Sequence, residues 1–314
     1  MSNCLVLGAD GFIGSHLVDV LAAAGHQVRA VDRFKGGAGV NLTQERPNVQ
    51  LVTGDFLNRE DLDAALENID YVFHFVSTTT PATSAKDPMI DIDTNVRGSV
   101  QLMQLCVEHN VKRIIFPSSG GAIYGQDFPR PINEGDATEP VSPYAIGKLT
   151  IEGYLRYFQE THNLDHLALR ISNPYGVRQN LVGNQGVIPI FLNLIRQGLP
   201  LNVFGDGGMI RDYLYITDLI EMIVGIFDKP TKYRTYNLGT GKGLALKDMI
   251  EYMKQITGNK VVVNYFPSRP TDVEHVLLDI KRYRKEFGDP ELLAIHDGIK
   301  KTWDYVLSKA EEES

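Results

Sequence analysis

Cysteine is almost missing from this 314-residue chain, with Cys4 and Cys106 its only two. Each lies in an apolar stretch, and neither falls in a CxxC or metal-ligand spacing. Both read as buried reduced thiols, a usage that fits a cytoplasmic protein. Positive charge is also short: 31 Lys and Arg stand against 39 Asp and Glu, for a net charge of −8. Phosphate contacts to nucleic acid need clustered Lys and Arg, so the charge argues against nucleic acid as the main partner. No uninterrupted apolar run approaches the roughly 20 residues of a membrane span. The first strand begins near Cys4, so no signal peptide is expected. No internal repeat is present, and only the Glu-Glu-Glu-Ser tail reads as disordered.

What remains is soluble globular composition, 43% hydrophobic and 22% charged. The length suffices for one large α/β domain or two unequal ones. Short β-rich runs at Cys4–Leu7, Val28–Val31, Gln50–Val52, Tyr71–Phe75, Arg113–Phe116 and His166–Ile171 predict strands. Amphipathic stretches at His16–Ala24, Asp61–Glu67, Ile92–His109 and Tyr144–Thr161 predict helices between or after them. Strands alternating with helices imply a parallel sheet covered on both faces. From about Asn173 the regularity weakens into Gly-, Asn- and Pro-rich loops, with helices expected near Ile190–Gln197 and Glu291–Lys309.

Gly8, Gly11 and Gly14, spaced three apart, fall where the first strand turns into a helix. Without Cβ atoms the backbone there can turn tightly and approach a pyrophosphate at the helix N-terminus. The second strand then delivers Asp32, which can accept the adenosine ribose hydroxyls and would repel the extra phosphate of NADP. NAD is therefore favoured, with Arg33 keeping NADP open. Asp55, after the third strand, could reach the adenine amino group.

Tyr144 and Lys148, at i and i+4, share a helix face. A neighbouring ammonium and an oxidised nicotinamide would pull a tyrosine below its usual value near 10. Such a tyrosine can take a proton from a sugar hydroxyl while the carbon loses hydride. Lys148 would also hold the nicotinamide ribose. The serine stretch Pro117-Ser118-Ser119-Gly120-Gly121-Ala122-Ile123-Tyr124-Gly125 could supply a hydroxyl to the same substrate oxygen.

Together these motifs resemble the extended short-chain dehydrogenase/reductase family. The resemblance is to its nucleotide-sugar epimerase/dehydratase branch, in particular the UDP-glucose and UDP-N-acetylhexosamine 4-epimerases. Gly8–Gly14, Asp32, Gly54-Asp55, His74-Phe75, Asn95, Ser118–Gly125, Ser142–Lys148, Arg170–Gly176 and Arg211-Asp212-Tyr213 fall in family order over nearly the whole chain.

The resemblance implies an α/β fold: a Rossmann-type doubly wound parallel sheet with a smaller, irregular α/β substrate-binding domain. The first would span 1–172 with a returning segment near 212–240, the second 173–211 and 241–314. NAD would contact Gly8, Gly11, Phe12, Ile13, Gly14, Asp32, Asp55, Phe56, Phe75, Asn95 and Lys148. Tyr144 would be the acid/base, Lys148 its partner and Ser119 the catalytic hydroxyl. Ser118, Asn173, Val187, Phe204, Arg211, Arg269 and Asp272 would face the substrate, the two arginines clamping the diphosphate and Asp272 reaching the uridine ribose.

Two departures from the family stand out. Many members carry the catalytic Ser or Thr where this chain has Gly120, which moves the assignment to Ser119. Val276 replaces a bulky tyrosine, which would leave room for an N-acetyl group.

The implied reaction is 4-epimerisation of a UDP-hexose, with or without the N-acetyl group, through a 4-keto intermediate and with NAD regenerated each cycle. Dehydratases need an added acid and base, and Gly121 and Ala122 occupy those positions. A nucleotide-sugar reductase or dehydrogenase, or a non-catalytic NAD(P)-binding sensor, remains the alternative. UDP is preferred over dTDP or GDP through the resemblance alone, which also implies a homodimer built on Ile92–His109 and Tyr144–Thr161.

Overall fold

The computed structural model describes residues 1–34, 39–42, 46–125, 128, 130–183, 185–268 and 273–312. The chain divides into two compact units: 1–123, 140–170 and 220–236 in one, 124–139, 171–219 and 237–314 in the other.

The first unit is built on strands β1 (Asn3–Leu7), β2 (Gln27–Asp32), β3 (Val49–Thr53), β4 (Tyr71–His74), β5 (Arg113–Ser119) and β6 (Asp165–Ile171). The seven-stranded sheet runs in the order Thr235–Leu238, β6, β5, β4, β1, β2, β3. The pairings of β1 with β2 and β4, β2 with β3 and β4 with β5 are parallel. Every residue of β1 from Cys4 to Leu7 is buried, as a central parallel strand covered on both faces must be. Strand order reverses between β1 and β4, and such a reversal opens a crevice at the strand C-termini.

Helices α1 (Phe12–Ala23), α2 (Arg59–Ala65), α3 (Arg97–Glu108) and α4 (Pro143–His162) cover the sheet. Leu102, Leu105 and Cys106 of α3 share one core with Ile151, Leu155 and Phe158 of α4 and with Leu5, Leu7 and Phe116. Each such buried aliphatic side chain contributes about 1.5–3 kcal/mol. A buried cation fastens the returning segment: Arg113 donates to the carbonyls of Phe227 at 2.9 Å and Lys229 at 2.7 Å. The same guanidinium pairs with Asp165 at 2.6 Å.

In the second unit, strand Ile210–Tyr215 pairs with Gly243–Ala245, His275–Val276 and Asn173–Tyr175. A separate parallel pair joins Leu201–Phe204 to Val263–Phe266. Helices Val187–Arg196, Leu246–Thr257, Lys281–Phe287 and Ile295–Glu312 complete it.

The structure corrects several sequence expectations. Residues 124–139 belong to the second unit, because the Tyr124 hydroxyl donates to Asn237 Oδ1 and Ile132 bridges Leu278. The returning segment starts at Ile220 rather than 212, since strand Ile210–Tyr215 is already consumed by its own sheet. The helix expected over Ile92–His109 is interrupted by a π-helical turn, Asp91–Val96, before α3 begins. The last helix starts at Ile295 and takes in Glu311 and Glu312 of the tail expected to be disordered.

Candidate active site

The glycine turn comes first. Gly8 has φ +76°, and a Cβ there would stand 2.8 Å from the Phe75 carbonyl oxygen. A Cβ on Gly14 would overlap the Gly8 carbonyl, so β1 and α1 meet only because both positions are glycine. Helix α1 opens at Gly11 with no side-chain cap and no acidic residue in its first turn. The amides of Phe12, Ile13 and Gly14 are the ends such a helix offers to an anion. Asp32 closes β2, its carboxylate accepting from the amides of Asp10 at 3.0 Å and Arg33 at 2.7 Å. The glycine cradle, uncapped helix and acid at the end of β2 fit the pyrophosphate and ribose of NAD.

Three further cofactor expectations take a more specific form. The Phe56 ring is buried and stacks on His74 at 4.9 Å, so only its backbone can face a ligand. The Asn95 amide is engaged internally, donating to Thr79 Oγ1 and Asp91 Oδ1, each at 2.8 Å. It also accepts from the Thr78 amide at 2.9 Å. Asp55 caps its own loop, accepting from Leu57 N at 2.9 Å. Phe75, half-buried, follows β4 directly behind the glycine turn.

Helix α4 positions Tyr144 and Lys148, the expected acid/base pair. Ser142 caps it by accepting from Ala145 N at 3.3 Å, Pro143 occupies the first turn, and the helix stops at left-handed Asn163. Tyr144 thus stands in the first turn and Lys148 one turn along the same face. The Lys148 ammonium donates to the Pro117 carbonyl at 2.8 Å and lies 4.6 Å from the centre of the Phe116 ring. It sits 5.7 Å from the centre of the Tyr144 ring. Ser119, at the end of β5, is the hydroxyl hydrogen-bonded to the Tyr144 phenol. Ser118 is buried, and its Oγ has no partner among the described residues.

Burial dominates the electrostatics of the pair. Burial pushes Tyr144 up to about 12, with Asp91 adding to the rise and the Ser119 hydrogen bond opposing it. Lys148 is pushed down to about 8 by burial, against the pull of Asp91 and Glu152. In the protein alone, desolvation of phenolate outweighs the stabilisation expected from the neighbouring ammonium.

In the second unit, Asn173 Nδ2 donates to the Asp212 carbonyl at 3.1 Å. Arg211 donates through Nη1 to the Ile210 carbonyl at 2.8 Å and the Glu274 carbonyl at 3.3 Å. Val187 opens its helix, and the Phe204 ring packs on Phe266 at 5.6 Å. Val276 is 3% exposed and registered opposite Arg211. Arg269 and Asp272 lie outside the described residues.

Sequence reasoning missed two acids that the structure makes prominent. Asp10, inside the glycine motif, accepts from the amides of Val40, Asn41 and Leu42 at 2.7, 2.8 and 2.9 Å, pinning the loop after β2. Asp91 is 2% exposed beside α4. The one signal of each was an acid within an otherwise apolar or glycine-rich run.

Known proteins share this fold and sequence pattern. The model of the NAD dependent epimerase/dehydratase family matches residues 4–239. The UDP-glucose 4-epimerase of Mycolicibacterium smegmatis is 31% identical over 98% of this chain and 99% of its own. The dTDP-4-dehydro-6-deoxyglucose reductase of Escherichia coli is 36% identical over 74% of each chain. The crystal structure of the Thermotoga maritima UDP-glucose 4-epimerase with UDP-glucose superposes with a TM-score of 0.92 and 33% identity, covering 98% of this chain and 99% of that one. The chain belongs to the NAD-dependent epimerase/dehydratase family.

Proposed function

We propose that this protein is an NAD-dependent 4-epimerase of a UDP-hexose. The observation that carries the reading is the Ser119–Tyr144–Lys148 constellation in a chain that aligns nearly end to end with a UDP-glucose 4-epimerase. The glycine turn and Asp32 would hold NAD, which would supply a reversible acceptor for hydride from sugar C4. Tyr144 takes the proton of the 4-hydroxyl as that hydride leaves, and gives it back when the 4-keto sugar is reduced on its other face. Ser119 donates a hydrogen bond to the same oxygen. Lys148, fixed by the Pro117 carbonyl and the Phe116 face, keeps positive charge near the phenol and holds the nicotinamide ribose. Asn173 and Arg211 bind the diphosphate, with Arg269 and Asp272 as further substrate ligands. The unit carrying the glycine turn holds NAD, and the other holds the nucleotide sugar.

The test is NMR of the sugar nucleotide after incubation with UDP-galactose or UDP-N-acetylgalactosamine, without reductant. Conversion to the gluco epimer, reaching one ratio from either side, supports the reading. No conversion of either overturns it. One observation favours a second reading, the 36% identity to the Escherichia coli reductase. Stoichiometric consumption of NADH with dTDP-4-dehydro-6-deoxyglucose would establish that reading instead.

The working form we propose is a cytoplasmic homodimer that binds no nucleic acid. Both free cysteines are buried, and no described helix is long and apolar enough to cross a membrane. Beside α3, Ile92 is 52% exposed, and on α4 Ile146 and Tyr157 are 51% and 52% exposed. Ile92, Val96, Val100 and Tyr154 line one groove of about 440 Å³, a surface a second copy would cover.

A further inference from the structure

Asp91 is a buried carboxylate that the mechanism above does not use. It begins the π-helical turn Asp91–Val96, a geometry that recurs at functional sites. Its Oδ1 accepts from the Thr79 hydroxyl and from Asn95 Nδ2, so the side chain is fixed from two directions. Its Oδ2 lies against Gly147, where any Cβ would overlap it. Gly147 falls three residues after Tyr144 and one before Lys148. The missing side chain at 147 is therefore what admits a negative charge to the face of α4 that carries the acid/base pair.

We propose that Asp91 is a positioning residue of the proton-transfer step. Its buried charge, locked by Thr79 and Asn95 against Gly147, holds protons on the Tyr144–Lys148 pair. Asp91 acts through these residues and touches no reacting atom.

Among the described residues, few other charges face this pair. On α4, Glu152 is paired with Arg170 at 2.8 Å. On β4, His74 is driven down to about 3 by burial and stays neutral. Strand β5 contributes the uncharged Phe116 ring, Pro117 carbonyl and Ser119 hydroxyl. Asp93 and Arg97, on Asp91's own side of the fold, are exposed. Asp91 raises the proton affinity of both members of the pair. The consequence is a tyrosine biased towards its acid form, ready to protonate the 4-keto sugar, whose oxidative role begins only at higher pH.

The inference rests on the proposed reaction, and the variant that tests it is Asp91→Asn. The amide keeps an oxygen at the Oδ1 position, so both donors from Thr79 and Asn95 remain satisfied while the charge disappears. The expected result is an acidic limb of the kcat profile displaced to lower pH by about one unit or more, as removal of a near, buried charge produces. A superimposable profile with a uniformly lower rate would overturn the proposal and leave Asp91 a structural residue. An ultraviolet phenolate titration, taken as the difference from Tyr144→Phe in each background, needs no turnover. There Tyr144 should ionise at lower pH once Asp91 is neutralised, and an unchanged midpoint counts against the proposal even if the unsubstituted protein epimerises nothing. Gly147→Ala, which displaces the carboxylate without removing it, should move the titration the same way and serves if Asp91→Asn does not fold. No movement there overturns the proposal.

Discussion

Tyr144, Ser119 and Ser118 lie within one small region, yet their removal has different expected costs. Tyr144→Phe deletes the proposed proton carrier and should lower turnover by about 10²–10⁴ with the circular dichroism spectrum unchanged. Ser119→Ala removes one hydrogen bond at the phenol, an effect of about 1.4 kcal/mol or roughly tenfold in kcat. Ser118→Ala, whose Oγ has no partner among the described residues, should leave kcat within a factor of two or so of the unsubstituted enzyme. Equal losses at 118 and 119 in initial-rate assays would reject that assignment.

His74 makes a separate prediction about stability. Burial lowers it from 6.5 to about 3, so below pH 6.5 the unfolded chain binds a proton that the folded one refuses. Its contribution is fully present above pH 6.5, falls steadily as pH drops, and is lost by about pH 3. His166, lowered to about 4, adds to the same trend. Melting temperature measured from pH 7 to 5 should fall, and less steeply in His74→Asn.

At the level of elements, the first turn of α4 joins folding to chemistry. Ser142→Ala should cost about 1 kcal/mol of stability by chemical denaturation and also depress kcat, because Tyr144 stands two residues inside the cap. Ser142→Asp, another good cap, should recover both. This helix was legible in the sequence from its Ser-Pro start and its i, i+4 pair. So was the glycine turn, where spacing and strand context agree. The π-helical turn was not, because Asp91–Val96 carries the same apolar periodicity as the helix it interrupts. The edge strand Thr235–Leu238 was missed as well, being four residues long and held by a neighbour rather than by its own pattern. Tyr144's upward shift was hidden for another reason: spacing reveals the ammonium nearby but not the depth of burial that outweighs it. Arg211 and Asn173 were found only through family resemblance, since a lone arginine or asparagine has no period to betray it.

For the whole molecule, the proposed dimer predicts a mass near twice 35.0 kDa in light scattering at micromolar concentration. Arg or Glu at Ile92 and Tyr157 together should return it to the single-chain value. The order in which the ribosome releases the chain has its own consequence. The first unit takes its last piece from residues 220–236 and the second its first from 124–139, so neither is a continuous stretch. At about 5–20 residues per second, the nascent chain waits several seconds between emergence of β6 and arrival of the strand that covers its outer edge. During that interval β6 offers an open edge to other chains. A release at residue 172 should therefore give an aggregating fragment rather than a free nucleotide-binding module, and production in cells should depend on chaperone supply more than the finished protein's stability would suggest.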